Sequence, residues 1–563
     1  MKQLFFIFSI ITTLIIGFSS CDPKDTPDTD QENVVSATYN ATNQSFTVKY
    51  NNGSEKIYPA IIDNTTNPPT ASAILENGGS VWTNNATVTG AAFTATKKNI
   101  NYVNEWIYDE MSVYYLWNNK IPSKPNYSLN PRNFFRSILY TFHPTTNPDG
   151  DRFSWIQESY VDLLDNLSGI SSAEIGFEYI FIKADQAGSK YFALVLYPKA
   201  GTDAEAKGIN RGRFIMQVDG KDITPKNYSS LFGGSGTKRL HMADWTYHPD
   251  EKSYYLEDSG EESIQMHSKF AENPVYLDKV YTLGDKKIGY LVYNFFARDK
   301  GDDSNDYDKL LISKLNNFQS QGINEMVLDL RYNSGGAVSS AIALASALVK
   351  DRSIKNILVT AEYNSIVHKE LQKEHGADYN KNYFIDKIMD TSIPIPSLNL
   401  PRLFVLTSGW TASASEFVIN GLKPYMEVIL IGETTYGKNV GSISLYEKND
   451  PQNKWGMQPI VVKYYNSKGE SDFTAGFNPN YKIDELEILF LFDFGDTNDP
   501  LLGEALSIIS GQKLLSTRAS TISTPFRSSH VDKQVSIKLR DKRQRFEMYD
   551  DVRGEEIKNL IKK

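Results

Sequence analysis

The stretch 401-PRLFVLTSGWTASASEFVINGLKPYM-426 decides how this chain is read. "RLFVL" is an apolar run of strand length, and "EFVINGLKPYM" places apolar residues at helical spacing. Between them lies a turn of small residues, "TASAS", with Ser413 and Ser415. Ser413 and Glu416 fit a capping box, in which each side chain takes a free N–H at the start of the helix. The same helix start offers unused N–H donors and a dipole that favours a developing oxyanion. A serine there is therefore either a cap, a nucleophile, or both.

The alternation of apolar strand and helix continues on both sides. Upstream are "KIGYLVYNFF" (287–296), "INEMVLDLR" (323–331), the turn "YNSGG" (332–336) and the helix-like "AVSSAIALASALVKD" (337–351). Downstream are "EVILIGE" (427–433) and the turn "TTYGKNVGS" (434–442). Near-continuous apolar strands alternating with helices predict a buried, largely parallel sheet.

A nucleophilic serine needs a base. The seven histidines, His143, His241, His248, His267, His368, His375 and His530, all lie away from glycine-rich turns and strand ends of the α/β region. His368 and His375 sit in a polar helix-like stretch and read as surface residues, without the HExxH zinc pattern. Lys438 follows a strand in a turn containing Gly437 and Gly441. A free lysine is a poor base at neutral pH, but burial disfavours the ammonium and lowers its pKa.

"DLRYNSGG" (329–336), "TASASE" (411–416) and "GETTYGK" (432–438) occur in that order, each at a predicted strand end. Together they resemble the motifs of the C-terminal processing peptidases, or tail-specific proteases. In that family the first serine of S-A-S-E is the nucleophile and a lysine 25 residues later is the base. Ser413 and Lys438 have that separation (438 − 413 = 25), and Ser415 does not. The resemblance implies a crotonase/ClpP-like α/β protease core and a Ser413–Lys438 dyad. It also implies an oxyanion hole from the backbone N–H of Ala414 and one from the Gly335–Gly336 turn. Many family members carry a Gln four residues after the lysine; Ser442 stands there, and is taken as the third member of the site.

Residues 169–277 read as β-rich, with "EIGFEYIFI" and "YFALVLY" as strands. "AGTDAEAKGINRGRFIMQVDGKDIT" resembles a PDZ domain through Ala204, Gly208, Ile209, Gly212, Ile215, Val218, Asp219 and Gly220, with Lys207 and Arg213 as departures. That resemblance implies strand addition of a peptide, with its terminal carboxylate held on the loop Ile175, Gly176, Phe177. Substrates would then be proteins or peptides with free C-termini.

The remaining chain is organised around this core. Residues 1–20 read as a secretory signal, with one lysine and an apolar run too short to span a membrane. Cys21 is the only cysteine, so no intrachain disulfide exists. After "FSS" it resembles the lipidated cysteine of a bacterial lipoprotein, although Phe18 replaces the usual leucine. Residues 21–33 read as an acidic tether, 34–96 as a small β domain, 97–168 as a helical region, 278–511 as the protease core and 512–563 as a basic, partly helical surface tail. These features imply an exported lipoprotein of a Gram-negative outer membrane, held through Cys21. A net charge of −9 argues against a general nucleic-acid binder. The absence of a Cys/His cluster, P-loop or dinucleotide fingerprint predicts no cofactor. The competing readings are a catalytically weak surface lipoprotein that binds peptides on the same fold, and, less in keeping with the motifs, a crotonase-like binder of small acyl ligands.

Overall fold

The structure is a computed structural model that describes residues 34–50, 53–64, 68–75, 80–83, 86, 87, 89, 92, 93, 97–512, 528–532 and 548–561. The predicted signal, Cys21 and the tether lie outside the described residues. The described residues fall into two compact units, one up to Asn99 and one from Ile100 onward.

The first unit is β, as its alternating Thr/Val/Tyr composition predicts. Val34–Asn40 pairs antiparallel with Ser45–Tyr50, which pairs with Glu55–Pro59. A second three-stranded sheet runs through Ile61–Asp63, Thr70–Ile74 and Ser80–Thr83. Tyr39, Phe46, Val48, Ala73 and Val81 form its core.

In the second unit the central sheet is ordered Val275–Leu283, Lys286–Tyr293, Glu325–Asp329, Arg402–Thr407, Glu427–Gly432 and Tyr481–Lys482. All neighbours after the first antiparallel pair run parallel. The parallel sheet read from the apolar runs is therefore present, and its inner strands Glu325–Asp329 and Arg402–Thr407 are buried on both faces, whereas the edge strand Tyr481–Lys482 is exposed. Pro500–Ser510 packs Leu501, Leu502 and Leu506 against Tyr290, Val327, Phe404 and Ile431. Val338–Leu348 and Ala414–Leu422 are buried on every side. A helix with no polar face belongs inside, and the alanines and serines of Val338–Leu348 permit that close approach. A second, antiparallel sheet orders Lys381–Tyr383, Ile357–Tyr363, Ile460–Asn466 and Val440–Ser442. The strand leaving the Lys438 turn is its edge.

The β-rich insert is an antiparallel sheet of Phe177–Lys183, Tyr191–Pro198, Phe214–Val218, Thr237–His248 and Ser253–Gln265, with short helices at Asp203–Ala206 and Tyr228–Leu231. Its predicted end at Leu277 falls inside the first strand of the central sheet, which begins at Val275. The helical region contains Lys97–Tyr114, Pro131–Ile138 and Tyr160–Leu167.

The reading of 512–563 as a solvated surface piece needs correction over residues 548–561. Gly554–Ile561 is a helix, but Met548, Asp550 and Ile557 are buried and the segment enters the core. Its charged composition conceals this because the insertion uses backbone pairing rather than an apolar stripe.

Candidate active site

The strand Arg402–Thr407 ends where Ser408 turns away. The Ser408 N–H donates to Thr411 Oγ1 at 2.9 Å, and the Thr411 hydroxyl donates to the Leu330 carbonyl at 2.8 Å. The Asn333 carbonyl accepts from the Ala412 N–H at 3.2 Å and from the Ser415 hydroxyl at 3.0 Å. Ser415 is thus a structural serine that stitches the turn to "DLRYN". Asn333 itself donates to the Tyr293 carbonyl at 2.8 Å and accepts from the Gly335 N–H at 2.9 Å.

Ser413 sits at the apex with φ +63° and ψ −115°, fully buried. A positive φ in a non-glycine residue costs of order 1–3 kcal/mol and persists where the surroundings impose it. The following residue, Ala414, opens the helix, so its N–H has no intrahelical acceptor. Gly335 faces this apex with φ +120°; a Cβ there would lie 2.6 Å from Ser413 Cβ. Gly336, at φ +131°, would place a Cβ 1.9 Å from the Phe296 carbonyl oxygen. Both positions therefore exclude any side chain. The Gly335 N–H is committed to Asn333, which leaves the Gly336 N–H as the donor of that turn not so engaged.

Lys438 is 2% exposed, and its Nζ lies 4.9 Å from the centroid of the Phe153 ring. Arg152 closes the loop from the same side, donating to the Gly437 carbonyl at 2.6 Å and to the Thr474 carbonyl at 3.1 Å. The helical region thus supplies the lid over the lysine. Sequence patterns missed this, because nothing local to Arg152 or Phe153 marks a contact so distant in the chain.

One residue joins the two turns. The Glu416 carboxylate, fully buried, accepts from the Ser413 N–H at 2.9 Å and from the Lys438 N–H at 2.8 Å through Oε2. Its Oε1 accepts from the Gly437 N–H at 2.7 Å and from the Thr435 hydroxyl at 2.6 Å. The Glu416 arm of the predicted capping box is formed, but it does more: it clamps the lysine loop to the serine turn. Tyr436 adds a second tie, its N–H donating to the Thr411 carbonyl at 2.9 Å.

Burial pushes the Glu416 carboxyl up to about 7 from an ordinary 4.5, against the pull of its four donors. Between pH 4.5 and 7 the unfolded chain therefore releases this proton while the folded chain keeps it. Stability held below pH 4.5 is lost as pH rises through that window, by up to about 3 kcal/mol. Denaturant midpoints measured from pH 4.5 to 7.5 should show this fall in the wild type and a flatter profile in Glu416→Gln. Identical profiles would remove the assignment.

Ser442 is buried, and its hydroxyl donates to the Met548 carbonyl at 3.2 Å. It contacts the segment 548–550. The predicted carboxylate loop is also engaged. The Gly176 N–H donates to Glu174 Oε1 at 3.0 Å, and Glu174 pairs with the buried Lys199 at 2.7 Å. Glu272 and Glu178 approach the same lysine at 3.1 and 3.7 Å. The expectation that Ile175, Gly176 and Phe177 cradle a substrate carboxylate thus meets a chain carboxylate already in the cradle, in a cluster of three acids and one base. His368 and His375 are exposed, as predicted. Among the described residues no group of His, Cys, Asp and Glu is arranged to hold a metal ion.

A strained serine at a strand-to-helix turn, a buried lysine on the next strand's loop and a glycine turn facing the serine define an α/β protein with a serine-peptidase type of site. Comparison with known proteins agrees. The model of peptidase family S41 matches residues 287–483, and that of the peptidase S41 N-terminal domain matches residues 102–155. A solved structure assigned to the S41 proteases, from Bacteroides fragilis NCTC 9343, is 31% identical with a TM-score of 0.60, covering 72% of this chain and 97% of that one. The carboxyl-terminal-processing protease of Picosynechococcus is 27% identical over 48% of this chain and 55% of its own length. CtpA, the carboxy-terminal processing protease of Bacillus subtilis, is 25% identical over 52% of this chain and 53% of its own. The chain spans about half the length of these curated relatives. The chain belongs to peptidase family S41.

Proposed function

We propose that the protein is a serine endopeptidase in which Ser413 is the nucleophile and Lys438 the general base. The observation that carries this reading is the clamp of Glu416 on both backbones, which fixes a strained serine and a buried lysine in one site. Neutral Lys438 takes the Ser413 proton as Oγ attacks the substrate carbonyl carbon. The resulting oxyanion is stabilised by the N–H groups of Ala414 and Gly336. The ammonium then returns the proton to the leaving amine, and water resolves the acyl-enzyme by the same steps in reverse order. Ser442 positions the peptide through its backbone and hydroxyl rather than adding a proton relay.

Substrates are proteins or peptides taken up as extended strands. The antiparallel insert carries the PDZ-like motif read at 204–220, which supports a role in holding the substrate. Its acidic cluster at Glu174, Glu178 and Glu272 disfavours a substrate carboxylate at Gly176. The sequence motif around Cys21 supports attachment by lipid to the outer membrane of a Gram-negative cell.

The test is digestion of casein by the chain from Asp22 onward, followed by a cleavable peptide offered as free acid and as C-terminal amide. Cleavage of casein and similar KM for both peptides are expected. A much higher KM for the amide would restore recognition of a free C-terminus. Failure to digest either substrate would favour the peptide-binding reading.

A further inference from the structure

A segment of the chain itself runs through the site. The Met548 N–H donates to Ser413 Oγ at 2.7 Å. The Met548 carbonyl accepts from the Ser442 N–H at 2.9 Å, and the Asp550 N–H returns to the Ser442 carbonyl at 2.8 Å. On the opposite side the Tyr549 N–H donates to the Gly336 carbonyl, and the Val338 N–H donates to the Tyr549 carbonyl, both at 3.2 Å. Tyr549 thus pairs in parallel with Ser442 and with Ala337 at once. The slot is walled by the strand leaving the lysine loop and by the glycine turn. It reads backbone on both edges, which is what an extended polypeptide of any sequence offers.

The segment is anchored beyond the slot. The Asp550 carboxylate accepts from the Tyr464 and Tyr363 hydroxyls at 3.0 and 3.2 Å and from the Arg553 N–H at 2.9 Å. Asp551 accepts from the Ser339 N–H at 3.0 Å and from its hydroxyl. Ile557 buries the helix Gly554–Ile561.

The pose is not that of a substrate about to react. The Met548 N–H points at Oγ within the plane of its peptide group, whereas attack requires the nucleophile above the plane of a carbonyl. The bond also occupies an Oγ lone pair. The Met548 carbonyl is turned to Ser442, away from the N–H groups of Ala414 and Gly336.

We propose that residues 548–561 are a built-in competitor that fills the substrate-strand slot, and that an extended polypeptide must displace them to reach Ser413. This rests on the peptidase reading above. The competitor raises the apparent KM by the inverse of the fraction of molecules in which the slot is free.

Three forms test it: the full chain, a chain ending at residue 547, and Met548→Pro, which deletes the N–H donor and keeps the helix. The readouts are the rate of Ser413 labelling by a fluorophosphonate and the rate of casein digestion. Both altered forms should react about tenfold faster or more, and a synthetic peptide of residues 548–561 should slow the shortened chain again. Anisotropy of the same peptide, fluorescently labelled, on the shortened chain carrying Lys438→Met, which keeps Ser413 Oγ as the acceptor, should show binding without any chemistry. Should the shortened chain fail to fold, Met548→Pro decides. Folded variants that label no faster than the full chain, or a peptide that does not bind, would overturn the competitor. Binding without labelling or digestion by any form would instead sink the peptidase reading and leave the slot assignment standing.

Discussion

Ser413→Ala and Lys438→Met are each expected to lower kcat for casein or a peptide by on the order of 10⁴-fold or more, with little change in KM. At 1.36 kcal/mol per factor of ten this is a loss of roughly 5 kcal/mol of transition-state stabilisation. Ser413→Ala keeps the Cβ that packs against Gly335 and removes only the hydroxyl. Lys438→Met keeps the buried stem over Phe153 and removes only the amine. Neither change opens a cavity, so circular dichroism should match the wild type; Lys438→Met should keep the unfolding midpoint, whereas Ser413→Ala, which takes the acceptor from the Met548 N–H, should cost about 1–3 kcal/mol. The effects should also fail to add: the double variant should be no slower than either single one, because the two groups act in one proton transfer. A Lys438→Met enzyme that retains a tenth of the wild-type rate would assign the base elsewhere.

The parts of this site that could be read from sequence are those whose geometry is local. The serine turn lies between the four-residue apolar run Leu403–Leu406 and a helix, and the lysine follows the next apolar run, so a parallel sheet brings both to one edge. The glycines at 335 and 336 announce a backbone that must bend and be approached closely. Glu416 was legible as a helix cap, because its Ser413 partner is three residues away. Its clamp on Thr435, Gly437 and Lys438 spans 19 to 22 residues and leaves no periodic trace. Phe153 and Arg152 reach the lysine loop across 285 residues and more. The strand at Met548–Asp550 was hidden for a different reason. It carries no apolar run, Met548 being followed by Tyr549 and the charged Asp550, and what seats it in the slot is main-chain bonding, which every sequence carries alike. Residue patterns report which faces are apolar; they do not report which slot a backbone will enter.

The DLR motif carries the second large expectation, and it concerns stability. Arg331 is 1% exposed and pairs with Asp329 at 2.8 Å, with Asp499 at 2.7 Å, and with Glu485. Glu485 also binds Arg211 of the β-rich insert and accepts from the Tyr332 hydroxyl at 2.7 Å. Arg211 continues to the Leu196 and Phe492 carbonyls at 2.6 and 2.7 Å. Two guanidiniums thus serve three buried carboxylates and join the insert to the central sheet. Burial raises Asp329 even with Arg331 beside it, whereas Arg211 and Arg331 together hold Glu485 below the ordinary carboxylate range despite its burial. Removing Arg331 leaves Asp329 with Tyr290 and Asp499 with the helix N–H groups it caps, each short of its cation. Breaking a buried pair in this way costs about 3–5 kcal/mol, a large part of the stability of an ordinary domain. Arg331→Ala is therefore expected to shift the denaturant midpoint sharply downward and to cut soluble yield. Arg331→Lys, which supplies the charge without the planar fork, should recover only part of it. Activity should fall with Arg331→Ala even in the folded fraction, since the Arg331 carbonyl accepts from the Ser408 hydroxyl at the base of the serine turn. An Arg331→Ala protein that unfolds at the wild-type midpoint would show that the network is dispensable and that the insert is held to the sheet by its apolar contacts.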